Sequence, residues 1–219
     1  MIKKIITLFK LGRKIARSDI LEIISKFQKP PLAITLLFKF LAISFSPKKK
    51  DSNKSEGERL SYSLESMGTT FIKLGQFLAT RPDIIGEKLS KQLENLQDKL
   101  PPFSLIQAKE IIKNDLGQET YDSIINLSEP VAAASIAQVH KAQINDNGTI
   151  KDVAIKILRP DIKKIFNEEI DAIMLFAFLV ESFIKKTKRL KLVEVVFLLK
   201  EITNLEMDLR FEAAAANEY

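Results

Sequence analysis

Residues 131–156 read VAAASIAQVHKAQINDNGTIKDVAIK. Apolar and polar side chains alternate from Ile136 to Ile144, and Val153 to Leu158 is a second run rich in β-branched residues, so both segments are predicted strands. Asn145 to Gly148 has the residue types of a tight turn, because Asn, Asp and Gly tolerate positive φ at little cost. The sequence therefore predicts an antiparallel hairpin whose second strand carries Lys156.

A run of small residues precedes the first strand: Ala132, Ala133, Ala134 and Ser135. A loop of small residues lets the backbone approach phosphate groups, and a lysine on a nearby strand supplies their counter-charge. The order of loop, strand, turn and lysine-bearing strand therefore indicates a nucleotide site. Taken singly, a strand lysine is usually a surface residue and an alanine run is usually a packing site, so only the combination carries the argument.

Composition limits the classes of protein that fit this chain. Its 219 residues are 46% hydrophobic, which is enough to bury a core and too much for a disordered chain. The sequence has no Cys, which excludes disulfides and thiolate metal sites. It has one His, His140, which argues against His-based metal sites and against Ser-His or Cys-His catalysis.

The positive charge is concentrated at the N-terminus. Residues 1–50 contain 12 Lys and Arg against 2 Asp and Glu, whereas the remaining residues contain 22 against 26. Such asymmetry indicates an anionic partner for the basic end, either a membrane surface or nucleic acid. No aromatic or base-reading pattern accompanies the charge, so nucleic acid is not predicted as a partner.

Two apolar segments lie within these basic residues. Met1 to Phe27 has the periodicity of a basic amphipathic helix, and Leu32 to Phe45 is strongly apolar but shorter than the ~20 residues of a membrane-spanning helix. The second segment fits an interfacial membrane contact or a helix packed on its own domain. The three lysines that follow it, Lys48 to Lys50, favour the membrane.

A polar linker at residues 46–57 predicts a domain boundary, with a helical N-terminal region at 1–50 and a second domain at 57–219. Ser104 and Gln107 form a capping-box pattern, and Gly117 is a predicted helix end. Gly68 and Gly75 lie inside one predicted helix, which indicates close approach by another backbone or a ligand. The helices predicted beyond the linker are Glu58–Thr80, Asp83–Lys99, Ser104–Gly117, Gln118–Asn126, Pro160–Lys186 and Leu190–Asn217.

The last predicted helix carries three carboxylates of interest. Glu206 and Asp208 are two residues apart, about 200° around a helix, so they cannot serve one partner from one face. Asp208 and Glu212 are four apart and share a face. A helix glutamate that pairs with a strand lysine is the arrangement that holds such a lysine on phosphates. The alternative is that all three carboxylates form a solvated face.

Four motifs in order connect the chain to a known family: KLGQ at 73–76, AAAS at 132–135, VAIK at 153–156 and EMDLRFE at 206–212. With their flanks GTTFIKLGQFLATRPDI, QLENLQDKLPP, SIAQVHKAQ and LRPDI, they resemble the UbiB-type atypical protein-kinase-like family of ubiquinone (coenzyme Q) biosynthesis. The resemblance extends from about Gly57 to Tyr219. Four ordered motifs are far more specific than any one of them.

The resemblance implies an α+β, helix-dominated fold, in which a protein-kinase-like N-lobe with a small antiparallel sheet and a C-helix follows an N-terminal helical extension. It implies that ATP is bound by the alanine-rich loop, Ala132 to Ser135, and by Lys156, with Glu212 as the ion-pair partner of that lysine on the C-helix. It further implies regulatory roles for the KxGQ residues, Lys73, Gly75 and Gln76, and for the ExD pair, Glu206 and Asp208.

The same resemblance implies ATP and Mg²⁺ as cofactors and other ubiquinone-biosynthesis proteins as partners. It also implies a peripheral location on an anionic membrane surface, the cytoplasmic face of the bacterial inner membrane. The sequence contains no catalytic-loop Asp, metal-binding Asn or DFG-like Asp, so no catalytic residue and no metal ligand are predicted. The chain is accordingly expected to be the N-terminal part of such a kinase or ATPase, inactive without a C-lobe. The alternative is a non-catalytic membrane-surface scaffold or remnant that keeps the N-lobe shape.

Overall fold

Helices predominate in the computed structural model of this chain. By its internal contacts the chain divides into two compact units, here called the helical unit (Met1–Gln97 with Lys164–Asn204) and the sheet unit (Asp98–Lys163 with Leu205–Tyr219). The structure describes residues 55–94, 96, 100–146, 148–183 and 185–216, together with residues 6, 7, 9, 10 and 12–14. The predicted apolar segment Leu32–Phe45 and most of the predicted linker lie outside these residues.

Four short helices follow Ser55 in the helical unit: α1 (Glu56–Met67), α2 (Thr69–Ala79), α3 (Pro82–Ile85) and α4 (Glu87–Leu93). The prediction of one helix over Glu58–Thr80 is wrong, because Gly68 separates α1 from α2 with a φ of 105°. Gly86, with a φ of 83°, likewise divides the predicted helix Asp83–Lys99. Only glycine adopts such backbone angles without strain, so both breaks are built into the sequence.

A helical hairpin completes this unit. It consists of α7 (Ile162–Phe183), a 3₁₀ turn (Lys185–Leu190) and α8 (Leu192–Glu206). Nζ of Lys200 lies 3.3 Å from Oδ1 of Asp171, and the backbone N–H of Val193 donates to Oε1 of Glu181 at 3.3 Å. The start of α8 thus lies beside the end of α7, and the two helices run antiparallel. The buried apolar side chains of the unit include Leu64, Phe71, Ile72, Leu93, Ile170 and Leu199.

The N-terminal residues that the structure describes are helical, as the periodicity of Met1–Phe27 predicts. Lys14 donates to the carbonyl of Met67 at 3.0 Å and pairs with Glu169 at 2.9 Å. These contacts tie Lys14 to the end of α1 and to α7. Among the residues covered by the structure, no helix is both long enough and apolar enough to cross a bilayer.

The sheet unit begins with α5 (Leu105–Leu116) and α6 (Gln118–Asp122). Four strands follow, β1 (Ile124–Ile125), β2 (Pro130–Ala133), β3 (Ala137–Asp146) and β4 (Thr149–Leu158), and α9 (Leu209–Ala216) comes last. All strand pairs are antiparallel, with β4 along one edge of β3 and β1 and β2 along the other. The α+β, helix-dominated fold with a small antiparallel sheet is thereby confirmed.

The hairpin and the capping box predicted in this unit are confirmed, whereas the helix predicted over Gln118–Asn126 ends at Asp122 and is followed by β1. The predicted hairpin is present, with Gly148 at a φ of 87° between β3 and β4. Helix α5 starts with the capping box of Ser104 and Gln107 and ends at Gly117. Ala108 and Ile112 of α5 pack against Ile157 of β4, so one face of the sheet forms the core with α5 and the other face remains for a site.

Candidate functional site

Lys156 lies in one cross-strand row with Ala132 and Val139. Val139 is the register partner of both, Ala132 on β2 and Lys156 on β4. Directly opposed residues of antiparallel strands point to the same face of the sheet. The neighbouring row, which contains Ile157, points to the opposite face and packs against α5. The lysine and the small-residue strand therefore share the face that α5 does not cover.

Lys156 is held in place by a carboxylate from α9. Its Nζ lies 2.8 Å from Oε1 and 2.6 Å from Oε2 of Glu212. Both side chains remain partly accessible, at 35% for Lys156 and 59% for Glu212. An ammonium group has three donors, so one carboxylate does not use up its capacity to bind a further anion.

The predicted loop of four small residues is partly a strand. Ala132 and Ala133 belong to β2, and only Ala134, Ser135 and Ile136 connect β2 to β3. The N–H of Ala134 donates to the carbonyl of Ala137 at 2.8 Å, which closes this short connection. Ala132 is exposed and Ala133 and Ala134 are half-buried, so no bulky side chain from this run stands in front of the sheet. The arrangement fits the phosphates of a nucleotide.

The predicted KxGQ residues lie on α2, in the helical unit. Gly75 packs against buried leucines, since a Cβ there would come within 2.5 Å of Leu96 Cδ2 and 2.7 Å of Leu64 Cδ1. The close approach predicted for Gly75 is therefore made by side chains. Lys73 and Gln76 are half-buried on the same helix. Their regulatory role stays a prediction.

The ExD pair occupies a break in the last predicted helix. Helix α8 ends at Glu206, Met207 is buried, and Asp208 precedes α9. The prediction of one helix over Leu190–Asn217, with Asp208 and Glu212 on a shared face, is therefore wrong. Oδ1 of Asp208 instead accepts hydrogen bonds from Nε of Arg210 at 2.7 Å and from the backbone N–H of Arg210 at 3.2 Å. This side-chain hydrogen bond lowers the pKa of Asp208 from 3.8 to about 2.

Arg159, to which the sequence analysis gave no role, contacts the alanine-rich run directly. Its guanidinium donates to the carbonyl of Ala134 from Nε at 3.0 Å and from Nη2 at 2.8 Å. It also donates to the carbonyls of Pro101 at 2.9 Å and Leu100 at 3.2 Å. The LRPDI motif contains this arginine, but nothing in its spacing indicates a partner 25 residues earlier.

A buried polar network, also missed, fixes the start of β3. The side chain of Gln138 accepts from the N–H of Phe103 at 2.9 Å and donates to the carbonyl of Phe103 at 3.1 Å. It also lies 2.9 Å from Nε2 of His140, whose Nδ1 lies 2.8 Å from the carbonyl of Ser128. A neutral imidazole that donates from Nδ1 and accepts at Nε2 satisfies both contacts. His140 is thus a buried structural residue.

No group of three or more His, Cys, Asp or Glu side chains within the described ranges is placed to hold a metal ion. Glu212 is engaged by Lys156, and Asp208 by Arg210. Lys156 and the small-residue run fit the phosphates of a nucleotide, and Mg²⁺ has no assigned ligand in the part of the chain that the structure covers.

Comparison with known proteins agrees with this geometry. Residues 95–219 match the ABC1 atypical kinase-like domain, so the match covers all of β1–β4 and α9. Three relatives are each called "Probable protein kinase UbiB". The protein from Marinobacter nauticus is 39% identical over 165 residues, which is 75% of this chain and 30% of the relative. The protein from Vibrio cholerae is 39% identical over 167 residues, again 75% and 30%. The protein from Aliivibrio fischeri is 38% identical over 189 residues, 85% and 34%.

The chain thus spans about a third of the length of these relatives. The domain match extends over more than half of the chain and includes the strand lysine, the small-residue run and the helix glutamate. The predicted resemblance is confirmed, and this chain belongs to the ABC1 atypical kinase-like family, with UbiB-type proteins among its relatives.

Proposed function

We propose that this chain supplies the nucleotide-binding part of a UbiB-type atypical kinase or ATPase that supports ubiquinone biosynthesis. The observation that carries the proposal is the ion pair between Lys156 and Glu212 on the face of the sheet that also carries Ala132. In kinases a strand lysine held by a C-helix glutamate binds nucleotide phosphates. The role in ubiquinone biosynthesis rests on the UbiB-type resemblance.

In this proposal the alanine-rich run takes the place of a glycine-rich loop. Small side chains at Ala132, Ala133, Ala134 and Ser135 let the backbone come close to the phosphates. Lys156 contributes the positive charge. Glu212 holds the ammonium group of this lysine in one position on the open face of the sheet. A charge-assisted hydrogen bond from this lysine to a phosphate oxygen is worth about 1.5–3 kcal/mol.

We propose that phosphoryl transfer needs groups beyond Lys156, Glu212 and the small-residue run. Transfer requires a catalytic-loop carboxylate and metal ligands near the γ-phosphate. Glu212 is already paired with Lys156, and Asp208 with Arg210, so neither is free to act as a base. ATP and Mg²⁺ would therefore react only where further residues complete the site, such as those of a C-lobe.

We also propose a peripheral membrane location, on the cytoplasmic face of the bacterial inner membrane. The support is the positive charge of positions 1–50, which contain 12 Lys and Arg against 2 Asp and Glu. Each Lys or Arg near an anionic bilayer contributes about 1 kcal/mol of attraction. The basic end would then hold the nucleotide-binding unit close to the membrane where other ubiquinone-biosynthesis proteins act.

The nucleotide proposal is tested by measuring the affinity of the chain for ATP, with and without Mg²⁺, by calorimetric titration. Lys156→Ala should weaken binding by about 10- to 100-fold, because a charge-assisted bond to phosphate is lost. The matched control is Lys151→Ala on the same strand, where the lysine points to the other face and pairs with Asp146 at 2.6 Å. Equal affinities in the two variants would refute the assignment of Lys156.

The membrane proposal is tested by sedimentation with vesicles that contain anionic phospholipid. Replacing Lys48, Lys49 and Lys50 by Gln should reduce binding, and deleting residues 1–50 should abolish it. Neutral vesicles serve as the control, and rising salt should weaken the binding to anionic ones. Binding that survives the deletion unchanged would show that the basic end is not the membrane contact.

A further inference from the structure

The side chain of Arg159 ties the connection between β2 and β3 to the rest of the sheet unit. The residue follows β4 directly, three positions after Lys156. Its backbone N–H donates to the carbonyl of Ile136 at 2.9 Å, while its guanidinium donates twice to the carbonyl of Ala134. Backbone and side chain thus hold the two carbonyls that flank Ser135.

The same guanidinium also reaches the segment before α5. It donates to the carbonyls of Leu100 and Pro101, so three main-chain oxygens from two separate segments meet one planar group. A guanidinium carries five N–H donors in a rigid fork, which suits this arrangement. A lysine in its place has one donor centre and cannot reach all three oxygens from one position.

Holding the Ala134 carbonyl fixes the orientation of a whole peptide group. The peptide bond is planar and trans, so the N–H of Ser135 points away from the side that carries the Ala134 oxygen. Loops that bind phosphates do so mainly through main-chain N–H groups. The direction of this N–H therefore depends on whether the guanidinium holds the carbonyl.

We propose that Arg159 is a positioning residue for nucleotide binding, which sets the conformation of the Ala134–Ser135 peptide through its hydrogen bonds to the Ala134 carbonyl. The inference rests on the proposed nucleotide function of this loop. Arg159 acts through the main chain and does not touch the phosphates itself. Lys156 supplies the positive charge for the phosphates, and Arg159 fixes the conformation of the Ala134–Ser135 peptide.

The first experiment needs no nucleotide. The N–H of Ala134 donates to the carbonyl of Ala137 at 2.8 Å. In an amide hydrogen-exchange experiment this N–H should exchange at least about tenfold faster in Arg159→Gln than in the wild type. Amides in the β3–β4 ladder should be unaffected. Arg159→Lys should give partial protection, because it restores a donor without the fork. Unchanged exchange at Ala134 in Arg159→Gln would overturn the inference.

The second experiment measures ATP affinity in the same variants. Arg159→Gln should weaken binding about three- to tenfold by loss of preorganisation, with Arg159→Lys between it and the wild type. Ile112→Val, in the core cluster behind the sheet, is the control for a general loss of stability. If Lys156→Ala loses affinity and Arg159→Gln does not, the inference fails and the proposed function stands. If the wild type binds no ATP, the proposed function fails and the positioning role fails with it, whereas the exchange experiment still shows whether Arg159 anchors the loop.

Discussion

Lys156 and Glu212 are 56 positions apart in the sequence, and yet the lysine Nζ lies within 2.8 Å of both carboxylate oxygens. The lysine comes from the last strand of the sheet and the glutamate from the first turn of α9. Exposed pairs of this kind contribute about 0–1 kcal/mol to stability. We therefore infer that the main effect of the pair is to position the ammonium group of Lys156, and that it stabilises the fold little.

The first prediction concerns Glu212. Replacing it with Gln should release Lys156 and weaken ATP binding by about 3- to 30-fold, while the free energy of unfolding changes by less than about 1 kcal/mol. The control is Glu201→Gln, an exposed residue of α8. A double-mutant cycle with Lys156→Ala should show strong coupling in ATP affinity. Additive losses would mean that the two side chains act independently.

The second prediction concerns the pH dependence of Asp208. Its pKa is lowered to about 2 by the hydrogen bond from Arg210. Because the pKa is lower in the folded than in the unfolded chain, the contribution to stability is present above about pH 4 and is lost as the pH falls towards 2. Arg210→Ala should return the pKa towards 3.8 in a carboxyl NMR titration. Asp83, whose pKa is lowered by Arg81, is the internal control and should not change. Wild-type titration of Asp208 near 3.8 would refute the ion pair.

The third prediction concerns Gly75 of the KxGQ motif. Gly75→Ala should destabilise the chain by about 1–2 kcal/mol in urea, because overpacking against buried Leu64 and Leu96 costs more than the gain in helix propensity. Combining it with Leu96→Ala should give a loss smaller than the sum of the two single losses, since the truncated leucine makes room for the methyl group. A stabilising effect of Gly75→Ala alone would show that the leucines move aside freely.

The fourth prediction concerns Gln138, which is 1% exposed. Gln138→Ala removes the partners of the Phe103 main chain and of Nε2 of His140 and should destabilise the chain by about 2–4 kcal/mol. Gln143→Ala on the same strand, where the side-chain amide bonds the exposed residues Asn126 and Asp152, should cost less than about 1 kcal/mol. Similar losses in both variants would mean that the buried network contributes little.

Some parts of this structure follow from local sequence. The hairpin around Gly148 and the capping box at Ser104 depend only on residues a few positions apart, and both are confirmed. The meeting of Lys156 with Glu212 was expected from the family resemblance. Spacing alone does not show which strand and helix come together.

Other parts depend on contacts that periodicity does not encode. The helical spacing of apolar residues continues across Gly68 and Gly86, so periodicity predicts no helix end there. The structure ends a helix at each glycine, because both have a positive φ angle. Strand β2 was missed because Ala132 and Ala133 have low strand propensity and gain their structure by pairing with β3. The contacts of Arg159 and Gln138 join positions 25 to 59 residues apart, beyond any local signal.

The most direct test of the nucleotide site is an NMR titration of the chain with ATP, with adenosine as the ligand that lacks phosphates. We expect amide shifts at residues 132–135 and around Lys156 with ATP and much smaller shifts there with adenosine. Shifts confined to other residues, or none at millimolar ATP, would contradict the claim that the small-residue run and the Lys156–Glu212 pair form a phosphate-binding site.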